Sequence, residues 1–399
     1  MIENSEPKTL SFDNTEIAFK SKSDKDLERA YWLFKIIANN FLTKVGPSMT
    51  NFALNIGLPI QGIIRKTIFK HFCGGETIEG CENAINELGE NGVGTILDYS
   101  VEGEETESAF DACCNEVLRT VVAASKNKYI PFSVFKPTGL GRFELFEKVN
   151  AKEALTESEQ AEYQRMLDRT DRICKACHAA GVKVLVDAEH SWIQDAIDDI
   201  AREMMEKYNM EKPIVYNTYQ LYRSDKLASL KADFEYAKVR GFHMGAKIVR
   251  GAYMEIERAR AAQKGYSDPI QPNKEASDRD YNEAIEFILD HLDNFGLMAG
   301  THNEDSSMLL AKEIDRRGID RSIDRIYFAQ LLGMSDNLSF NLAAHGYNVA
   351  KYMPYGPVKA VMPYLFRRAQ ENTSVAGATG RELGLLIKEN KEEKLVDND

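Results

Sequence analysis

The sequence lacks the long apolar runs and the leader that membrane-spanning or exported proteins carry. No stretch of 18 apolar residues occurs among its 399, which predicts that no helix crosses a membrane. Residues 1–26 are polar and contain no apolar core of the signal-peptide type. These absences predict a cytoplasmic protein, and its six cysteines are then expected to be free thiols in a reducing compartment.

Basic residues are also in deficit. The chain has 50 Lys and Arg against 62 Asp and Glu, a net charge of −12 that argues against a nucleic-acid partner. The hydrophobic fraction of 43% and the charged fraction of 28% are typical of a soluble globular protein. The length allows one large barrel or two domains.

Two cofactor motifs are absent or incomplete. There is no Walker A sequence, and Gly139–Glu144 lacks the third glycine and the strand–helix context of a dinucleotide fingerprint. Cys174–His178 matches the attachment motif of c-type haem, but it lies in a periodic helix of a chain without an export signal. Ordinary helix cysteines fit better. A non-enzymatic haem carrier remains an alternative that a visible spectrum would decide.

From about residue 92, short apolar runs alternate with longer amphipathic segments such as Glu157–Ala180 and Asp305–Arg317. Eight such runs predict parallel βαβ units, and eight is the number of strands that closes a (β/α)8 barrel of the α/β class. The runs are Gly92–Ser100, Pro131–Lys136, Val182–Glu189, Pro213–Gln220, Gly245–Gly251, Leu297–Asn303, Arg325–Leu331 and Tyr347–Tyr352.

Polar or ionisable residues stand near the ends of most of these predicted strands. Barrel active sites lie at the carboxyl ends of the strands, so a shared pocket explains this alignment better than packing alone. The strand-end residues are Asp98, Lys136, Asp187, Asn217, Gln220, Lys247, Arg250, Thr301, His302, Asn303, Gln330 and Tyr352.

A metal site is weakly supported. His302 and Asp187 have side chains that bind metals, but no paired His or carboxylate spacing accompanies them. A single His at a strand end more often donates to a cofactor or to the backbone. We therefore predict no metal.

Lys247 and Arg250 flank the most unusual predicted strand, which ends in the small residues Gly251 and Ala252. Small residues there allow the close approach of a flat ligand. The odd spacing of the two cations places them on opposite sides of the strand, so both cannot be buried inside the barrel. A salt bridge within the barrel is the structural alternative for either one alone.

One segment departs from the acidic balance of the chain. Between Glu28 and Glu76 there is no acidic residue, which leaves this segment at +6 and the rest of the chain at −18. The segment is also apolar and helix-prone. It predicts either an amphipathic surface for an anionic membrane or a helical arm packed against an acidic body.

Two adjacent arginines lie in a predicted helix that follows Gly356-Pro357. Residues three and four apart share one face of a helix, so Tyr364 and Glu371 each lie beside both Arg367 and Arg368. A planar Arg fork binds a carboxylate with two hydrogen bonds, which favours a small anionic ligand. A solvated charged face with an ordinary ion pair is the alternative.

Several of these segments together resemble the proline dehydrogenase family. The resemblance covers roughly residues 74 to 380, and the tyrosine–double-arginine segment is its most specific part. The matching segments are Phe135-Lys136, Val186–Glu189, Asn217–Gln220, Lys247–Tyr253, Thr301–Asn303, Gln330–Met334 and Tyr364–Asn372.

The resemblance implies a distorted (β/α)8 barrel that carries FAD, with the last helix above the barrel mouth. We expect a helical arm over residues 1–90, the catalytic barrel over 91–380 and a charged tail over 381–399. The implied reaction is oxidation of L-proline to Δ1-pyrroline-5-carboxylate, with hydride passing to flavin N5. The electrons then pass to a membrane quinone, so the protein is expected in the cytoplasm or peripherally on the inner face of the cytoplasmic membrane.

The resemblance also implies roles for individual residues. Arg367 and Arg368 would clamp the substrate carboxylate, with Lys136 assisting and Glu371 behind an arginine. Leu331, Tyr352 and Tyr364 would enclose the apolar ring, and Asp187 and Lys247 would be the catalytic pair. The implied flavin contacts are Ala188, Asn217, Gln220, Lys247, Arg250, Gly251, Ala252, Thr301, His302 and Asn303.

Two departures from the family pattern matter. Some bacterial members have arginine in place of Lys247 and glutamine in place of Asn217, so this chain is more similar to the eukaryotic branch. The length leaves no room for the aldehyde dehydrogenase domain of bifunctional members, so a separate pyrroline-5-carboxylate dehydrogenase is expected downstream. The rival substrate is 4-hydroxyproline, although members that prefer it tend to carry a smaller residue at the position of Tyr352.

Overall fold

Eight parallel strands close into a barrel in which each strand pairs with the next and β8 pairs with β1. The computed structural model describes residues 9–20, 22–37, 61–100, 103, 105–374, 381 and 384–389. The strands are β1 Val93–Tyr99, β2 Phe132–Phe135, β3 Lys183–Val186, β4 Val215–Gln220, β5 Met244–Val249, β6 Phe295–Gly300, β7 Ile326–Leu331 and β8 Val349–Tyr355. The predicted barrel, with one strand for each apolar run, is confirmed.

Alternation along the strands separates the barrel interior from the layer beneath the helices. On β5, Ala246 and Ile248 pack outward into the main core, while Gly245 and Lys247 face inward. The interior core residues are Ile96, Phe132, Val134, Leu185, Tyr216, Met298, Ala329, Ala350 and Tyr352. The barrel interior is therefore filled with side chains. A ligand is expected to bind at the rim formed by the carboxyl ends of the strands.

Helices surround the barrel between successive strands. The predicted helix Glu157–Ala180 is observed with those bounds, begun by a Thr156–Glu159 capping box and ended by left-handed Gly181. The described helices are α1 Thr15–Phe19, α2 Asp24–Ile37, α3 Gln61–Ile64, α4 Lys70–Phe72, α5 Glu82–Glu90, α6 Glu107–Lys126, α7 Phe143–Asn150, α8 Glu157–Ala180, α9 Ser191–Tyr208, α10 Lys226–Arg240, α11 Met254–Lys264, α12 Lys274–Asp290, α13 Glu304–Arg316, α14 Asp336–Ala344 and α15 Val358–Ser374.

The chain before the barrel is attached to the end of β8. The Gly74 amide donates to the Pro354 carbonyl at 2.9 Å, and Gly75 forms a parallel bridge with Tyr355. Side chains from α2, from residues 64–73, from the loop after β7 and from α15 then share one buried apolar cluster. Its members are Leu33, Ile64, Phe69, Phe72, Cys73, Met334, Val358, Val361, Met362, Tyr364 and Leu365.

In the described part of the chain, no helix combines the length and the apolar character needed to cross a membrane. Residues 38–60 of the predicted arm and most of the predicted charged tail lie outside the described residues.

Candidate active site

Lys247 joins three strands across the barrel interior. Its ammonium donates to Asp187 Oδ1 at 2.6 Å and to the Tyr352 hydroxyl at 2.6 Å. The Tyr352 hydroxyl in turn donates to Asp187 Oδ1 at 3.3 Å. The two predicted catalytic residues and the predicted ring-contacting tyrosine therefore form one triangle. In sequence, Asp187 is 60 residues from Lys247, and Tyr352 is 105 residues from it.

Tyr352 keeps its proton in this environment. Burial, followed by the negative charges of Asp187 and Asp98, raises the pKa of the Tyr352 phenol well above its usual range. The phenol can therefore donate to Asp187 while it accepts from Lys247. Its hydroxyl is therefore held between Lys247 and Asp187.

A cavity of about 320 Å³ opens at the carboxyl ends of β1, β2 and β3. It brings Lys136, from the end of β2, to the same space as Arg367 of α15, 231 positions later in the printed sequence. Both are cations to which the family resemblance gives a role in binding the substrate carboxylate. The lining is Tyr99, Gly103, Ala109, Ala112, Cys113, Lys136, Thr138, Gly139, Phe143, Glu189, His190, Tyr253 and Arg367.

The arginine helix α15 lies against the segments that carry the predicted ring contacts. Tyr364 is buried in the cluster beneath this helix, and Leu331 packs against that cluster and against the barrel interior that contains Tyr352. The side chains of Arg368 and Glu371 lie outside the described residues, so their predicted contacts stay predictions.

Arg250 lies beyond the end of β5 and faces the helices. Its guanidinium donates to Asp278 at 2.7 Å, to Thr301 Oγ1 at 2.8 Å and to Ser306 Oγ at 3.0 Å. The next residues, Gly251 and Ala252, are exposed on the rim. Lys247 and Arg250 thus lie in separate environments, as their odd spacing predicted.

The residues after β6 form a connected polar group. Thr301 Oγ1 accepts from the Asn303 amide at 3.1 Å, and Asn303 Oδ1 caps α13 by accepting from the Ser306 amide at 2.8 Å. His302 Nδ1 lies 2.9 Å from Ser335 Oγ. Gln330 Nε2 donates to the Thr301 carbonyl at 3.1 Å, which ties this group to β7.

Asn217 is separated from the mouth by the direction of its side chain. On β4 it faces outward, and its amide donates to Asp198 Oδ1 on α9 at 2.9 Å. Gln220, three residues later, faces the opposite side and donates to the Glu189 carbonyl at 2.7 Å. The structure therefore groups Gln220 with the rim and places Asn217 beneath the helix layer.

Several cavity residues received no role from the sequence. Glu189 stands two residues after Asp187, so the strand-end pattern that selected Asp187 would also have selected it. The aromatic residues His190 and Tyr253 carry no such sequence signal. The His190 ring stacks on Trp192 with ring centroids 4.5 Å apart, and its centroid lies 4.3 Å from that of the Tyr253 ring. These contacts join loops that only the tertiary fold brings together.

The haem-like motif lies away from this site. Cys174 and Cys177 are fully buried in the main core, and burial raises the pKa of both thiols. Buried, protonated thiols cannot present a haem-attachment surface, so the haem-carrier alternative is wrong. None of the six cysteines, all of which are described, forms a disulfide bond. Among the described residues, no three His, Cys, Asp or Glu side chains are grouped closely enough to hold a metal ion.

Sequence comparison finds one family and several similar proteins. The family model described as proline dehydrogenase matches residues 81–381. The chain is 35% identical to "Proline dehydrogenase 1, mitochondrial" of Dictyostelium discoideum, over 96% of this chain and 75% of that protein. It is 44% identical to the human protein of the same name, over 58% of this chain and 39% of that one. "Hydroxyproline dehydrogenase" of Xenopus laevis is 31% identical, over 96% of this chain and 90% of the relative.

The fold is similar to that of a solved bacterial protein. Proline utilization A (PutA) from Bdellovibrio bacteriovorus superposes with a TM-score of 0.71 at 20% sequence identity. The match covers 90% of this chain but only 38% of the solved protein. At that identity, the likeness concerns the fold alone.

Proposed function

Because this chain belongs to the proline dehydrogenase family, we propose that it oxidises L-proline to Δ1-pyrroline-5-carboxylate with FAD as the first electron acceptor. The observation that carries the proposal is the cavity at the carboxyl end of the barrel. It combines two cations from distant segments, Lys136 and Arg367, with aromatic and small apolar side chains. A small, largely apolar amino acid has the complementary chemistry.

Lys136 and Arg367 hold the substrate by its carboxylate, and Arg368, the next residue in the sequence, is proposed to bind the same carboxylate. A hydrogen bond to a charged group contributes about 1.5–3 kcal/mol, so two or three such bonds can orient a ligand with few atoms. Glu371 supports an arginine from the same helix. The saturated ring of proline offers no other polar handle apart from its nitrogen.

Leu331, Tyr352 and Tyr364 enclose the apolar ring. Leu331 packs against both the cluster that contains Tyr364 and the interior cluster that contains Tyr352, which supports their acting together, although none of the three is among the residues that line the cavity. Lys247 and Asp187 fix the Tyr352 hydroxyl.

The substrate nitrogen must be free of its extra proton before hydride can leave the neighbouring carbon. The positive charges of Lys136 and Arg367 disfavour the ammonium form, which lowers the pKa of the bound amine. The residues that hold the carboxylate therefore also promote the reactive protonation state.

The rim residues fit a flavin dinucleotide. The exposed Gly251 and Ala252 are proposed to lie beside the flat ring, and Lys247 on β5 is proposed to supply a cation near it. Ala188, Gln220, Arg250, Thr301, His302 and Asn303 would hold the rest of the group. When bound, the flavin supplies the acceptor for the hydride. Asn217 would contribute indirectly, since its amide is bonded to Asp198.

The electrons are proposed to pass to a membrane quinone while the protein is peripherally bound at the inner face of the cytoplasmic membrane. The product is proposed to leave for a separate pyrroline-5-carboxylate dehydrogenase. An exposed Trp32, with the Lys35 ammonium 4.8 Å from its ring centroid, supports a surface suited to the membrane interface.

Anaerobic addition of L-proline to the purified protein tests the proposal. We expect a flavin absorbance band before the addition and bleaching of that band after it. A flavin-containing protein that L-proline leaves oxidised would overturn the proposed substrate, and a protein without flavin would overturn the cofactor.

A 4-hydroxyproline dehydrogenase is the second candidate. It is favoured by the 31% identity to the Xenopus laevis relative over most of both chains. The bulky, hydrogen-bonded Tyr352 favours the unsubstituted ring, because a hydroxyl on the ring would need space next to the phenol. We expect a higher kcat/KM for L-proline than for trans-4-hydroxy-L-proline, and the reverse order would select the second candidate.

A further inference from the structure

We propose that Glu189 is a positioning residue, whose carboxylate holds the loop that carries Lys136 against the loop that carries Asp187. The kinetic consequence rests on the proposed function. The clamp itself rests on hydrogen bonds within the protein and can be tested without a substrate.

The Glu189 carboxylate binds two donors of a single residue on the neighbouring loop. Its Oε1 accepts from the Thr138 amide at 3.0 Å, and its Oε2 accepts from the Thr138 hydroxyl at 2.6 Å. Thr138 lies in the short 3-10 turn Pro137–Gly139 that directly follows Lys136. The carboxylate therefore fixes the segment that places the Lys136 ammonium.

Glu189 is itself held by its backbone. Its amide donates to Gln194 Oε1 on α9 at 2.8 Å, and its carbonyl accepts from Gln220 Nε2 on β4 at 2.7 Å. The Gln194 amide also donates to Asp198 at 2.8 Å, and Asp198 pairs with Lys226 at 2.6 Å. The backbone of the segment after β3 is thus fixed to the helix layer and to β4. The Glu189 side chain then links this segment to the turn after β2.

The same segment carries Asp187 of the catalytic triangle. The Asp187 amide donates to the Phe135 carbonyl at 3.0 Å, one residue before Lys136. The end of β2 and the end of β3 are therefore joined twice, once through the backbone at Asp187 and once through the Glu189 side chain. With the second link lost, the Thr138 amide and hydroxyl lose their Glu189 acceptor, while the backbone bond from Asp187 to Phe135 remains.

Burial explains why this link is strong. Glu189 is 6% exposed, and a carboxylate removed from water is costly unless hydrogen bonds replace its solvation. The two Thr138 donors provide part of that replacement. A carboxylate held in this way has little freedom to move, which is the property that a positioning group needs.

Two substitutions separate hydrogen bonding from charge. In Glu189→Gln, the amide oxygen can still accept from the Thr138 amide, and the amide N–H can donate to the Thr138 hydroxyl oxygen. Glu189→Ala removes both bonds. We expect Glu189→Ala to lower kcat/KM for L-proline by about 10- to 100-fold, mainly through KM, because a misplacement of about 1 Å can have an effect of this size.

Glu189→Gln is expected to retain kcat/KM within about threefold of wild type, since the hydrogen bonds and not the charge carry the role. Thr138→Val should change kcat/KM in the same direction as Glu189→Ala, and the double variant should be little worse than Glu189→Ala alone. If the Gln variant loses as much activity as the Ala variant, the charge is what matters and the proposal is overturned.

Cyclopentanecarboxylate has a five-membered ring and a carboxylate but no nitrogen. Its inhibition constant therefore reports on binding of the carboxylate separately from binding of the amine. If Glu189 positions Lys136, Glu189→Ala raises the inhibition constant of this acid by about the same factor as KM for proline. If the inhibition constant is unchanged while KM rises, Glu189 acts on the substrate nitrogen and the positioning role is overturned.

Hydrogen exchange of residues 136–139 tests the clamp independently of activity. We expect faster exchange in Glu189→Ala and wild-type exchange in Glu189→Gln; equal exchange in all three proteins would overturn the clamp. A wild-type protein that does not oxidise proline would defeat the proposed function, while the exchange result would still decide the clamp.

Glu159→Ala is the matched control. Glu159 accepts from the amide and the hydroxyl of Thr156 at 3.0 and 3.1 Å, at the start of α8. Glu159→Ala therefore removes the same two kinds of hydrogen bond, together with an ion pair to Lys148, at a helix N-terminus away from the cavity lining. We expect kcat/KM and the exchange of residues 136–139 to remain as in wild type.

Discussion

A single ammonium group links the parts of the barrel that the proposed chemistry needs. Lys247 on β5 binds both Asp187 after β3 and the hydroxyl of Tyr352 on β8, each at 2.6 Å. Arg250, three residues on, makes its contacts with Asp278, Thr301 and Ser306 outside this triangle. These contacts agree with the prediction that the two cations are not both buried inside the barrel.

Replacement of Arg367 is expected to weaken the binding of L-proline. Arg367→Met removes a cavity cation but keeps an unbranched chain of similar length. We expect KM for L-proline to rise about 10- to 150-fold, which corresponds to the roughly 1.5–3 kcal/mol of a charged hydrogen bond. The flavin spectrum should be retained, because the rim residues proposed to hold FAD are unchanged. Steady-state kinetics and the visible spectrum check both parts.

Arg316→Met is the control for this substitution. Arg316 lies on α13 with 66% of its side chain exposed and pairs with Glu313 at 2.6 Å. Its loss should leave KM unchanged. An unchanged KM in Arg367→Met as well would remove this arginine from the proposed carboxylate clamp.

At the scale of elements, the loop between β7 and α14 connects the arm to the proposed substrate wall. His71 Nε2 lies 2.8 Å from the Gly333 carbonyl oxygen, two residues after Leu331. Gly333 has a positive φ of 77°, and a Cβ there would lie 2.4 Å from the His71 carbonyl oxygen. The arm and this loop are therefore in close backbone contact, which only glycine permits.

This contact predicts a pH dependence of stability. Burial, followed by the positive charge of Lys22, lowers the pKa of His71 from 6.5 to about 4, against opposing effects of Asp336 and the Gly333 bond. The unfolded chain then binds one more proton than the folded protein between those two values. The free energy of unfolding should fall as pH drops through this window, by at most about 3 kcal/mol from His71.

His71→Gln isolates this contribution. The Gln amide can still donate to the Gly333 carbonyl but does not titrate. We expect the variant to lose less stability than wild type between pH 7 and pH 4.5. Urea unfolding at a series of pH values measures the difference. Parallel stability curves for the two proteins would show that His71 does not carry this dependence.

At the scale of the whole molecule, charge is distributed unevenly. The segment between Glu28 and Glu76 carries +6 on a chain of −12. Part of this charge is paired within the protein, since Arg65 lies 2.6 Å from Glu76 and Arg29 pairs with Asp26. The arm also packs against α15 through the apolar cluster beneath that helix. Both of the alternatives that the sequence left open thus have support in one segment: inward packing and an exposed basic, aromatic surface.

Liposome flotation tests the outward-facing surface. We expect the protein to float with vesicles that contain anionic lipid and to float less with neutral vesicles, because each basic residue near an anionic surface contributes about 1 kcal/mol. Trp32→Ala and Lys35→Gln, at exposed positions on α2, should weaken flotation, and added salt should have the same effect. Flotation that is equal with and without anionic lipid would contradict the proposal.

The sequence by itself determined the barrel, because eight apolar runs separated by amphipathic segments have few other ways to bury their surfaces. It also selected Lys136, Asp187, Lys247 and Tyr352 as candidate site residues, since strand ends and residue chemistry are local properties. It could not determine which of these side chains meet.

Only the tertiary structure decided that Lys247 reaches Tyr352 across the barrel, that Asn217 faces α9, and that Glu189 bridges two loops. The physical reason is that such contacts depend on strand register and loop geometry. These are set by the closing of the whole barrel and not by neighbours in sequence.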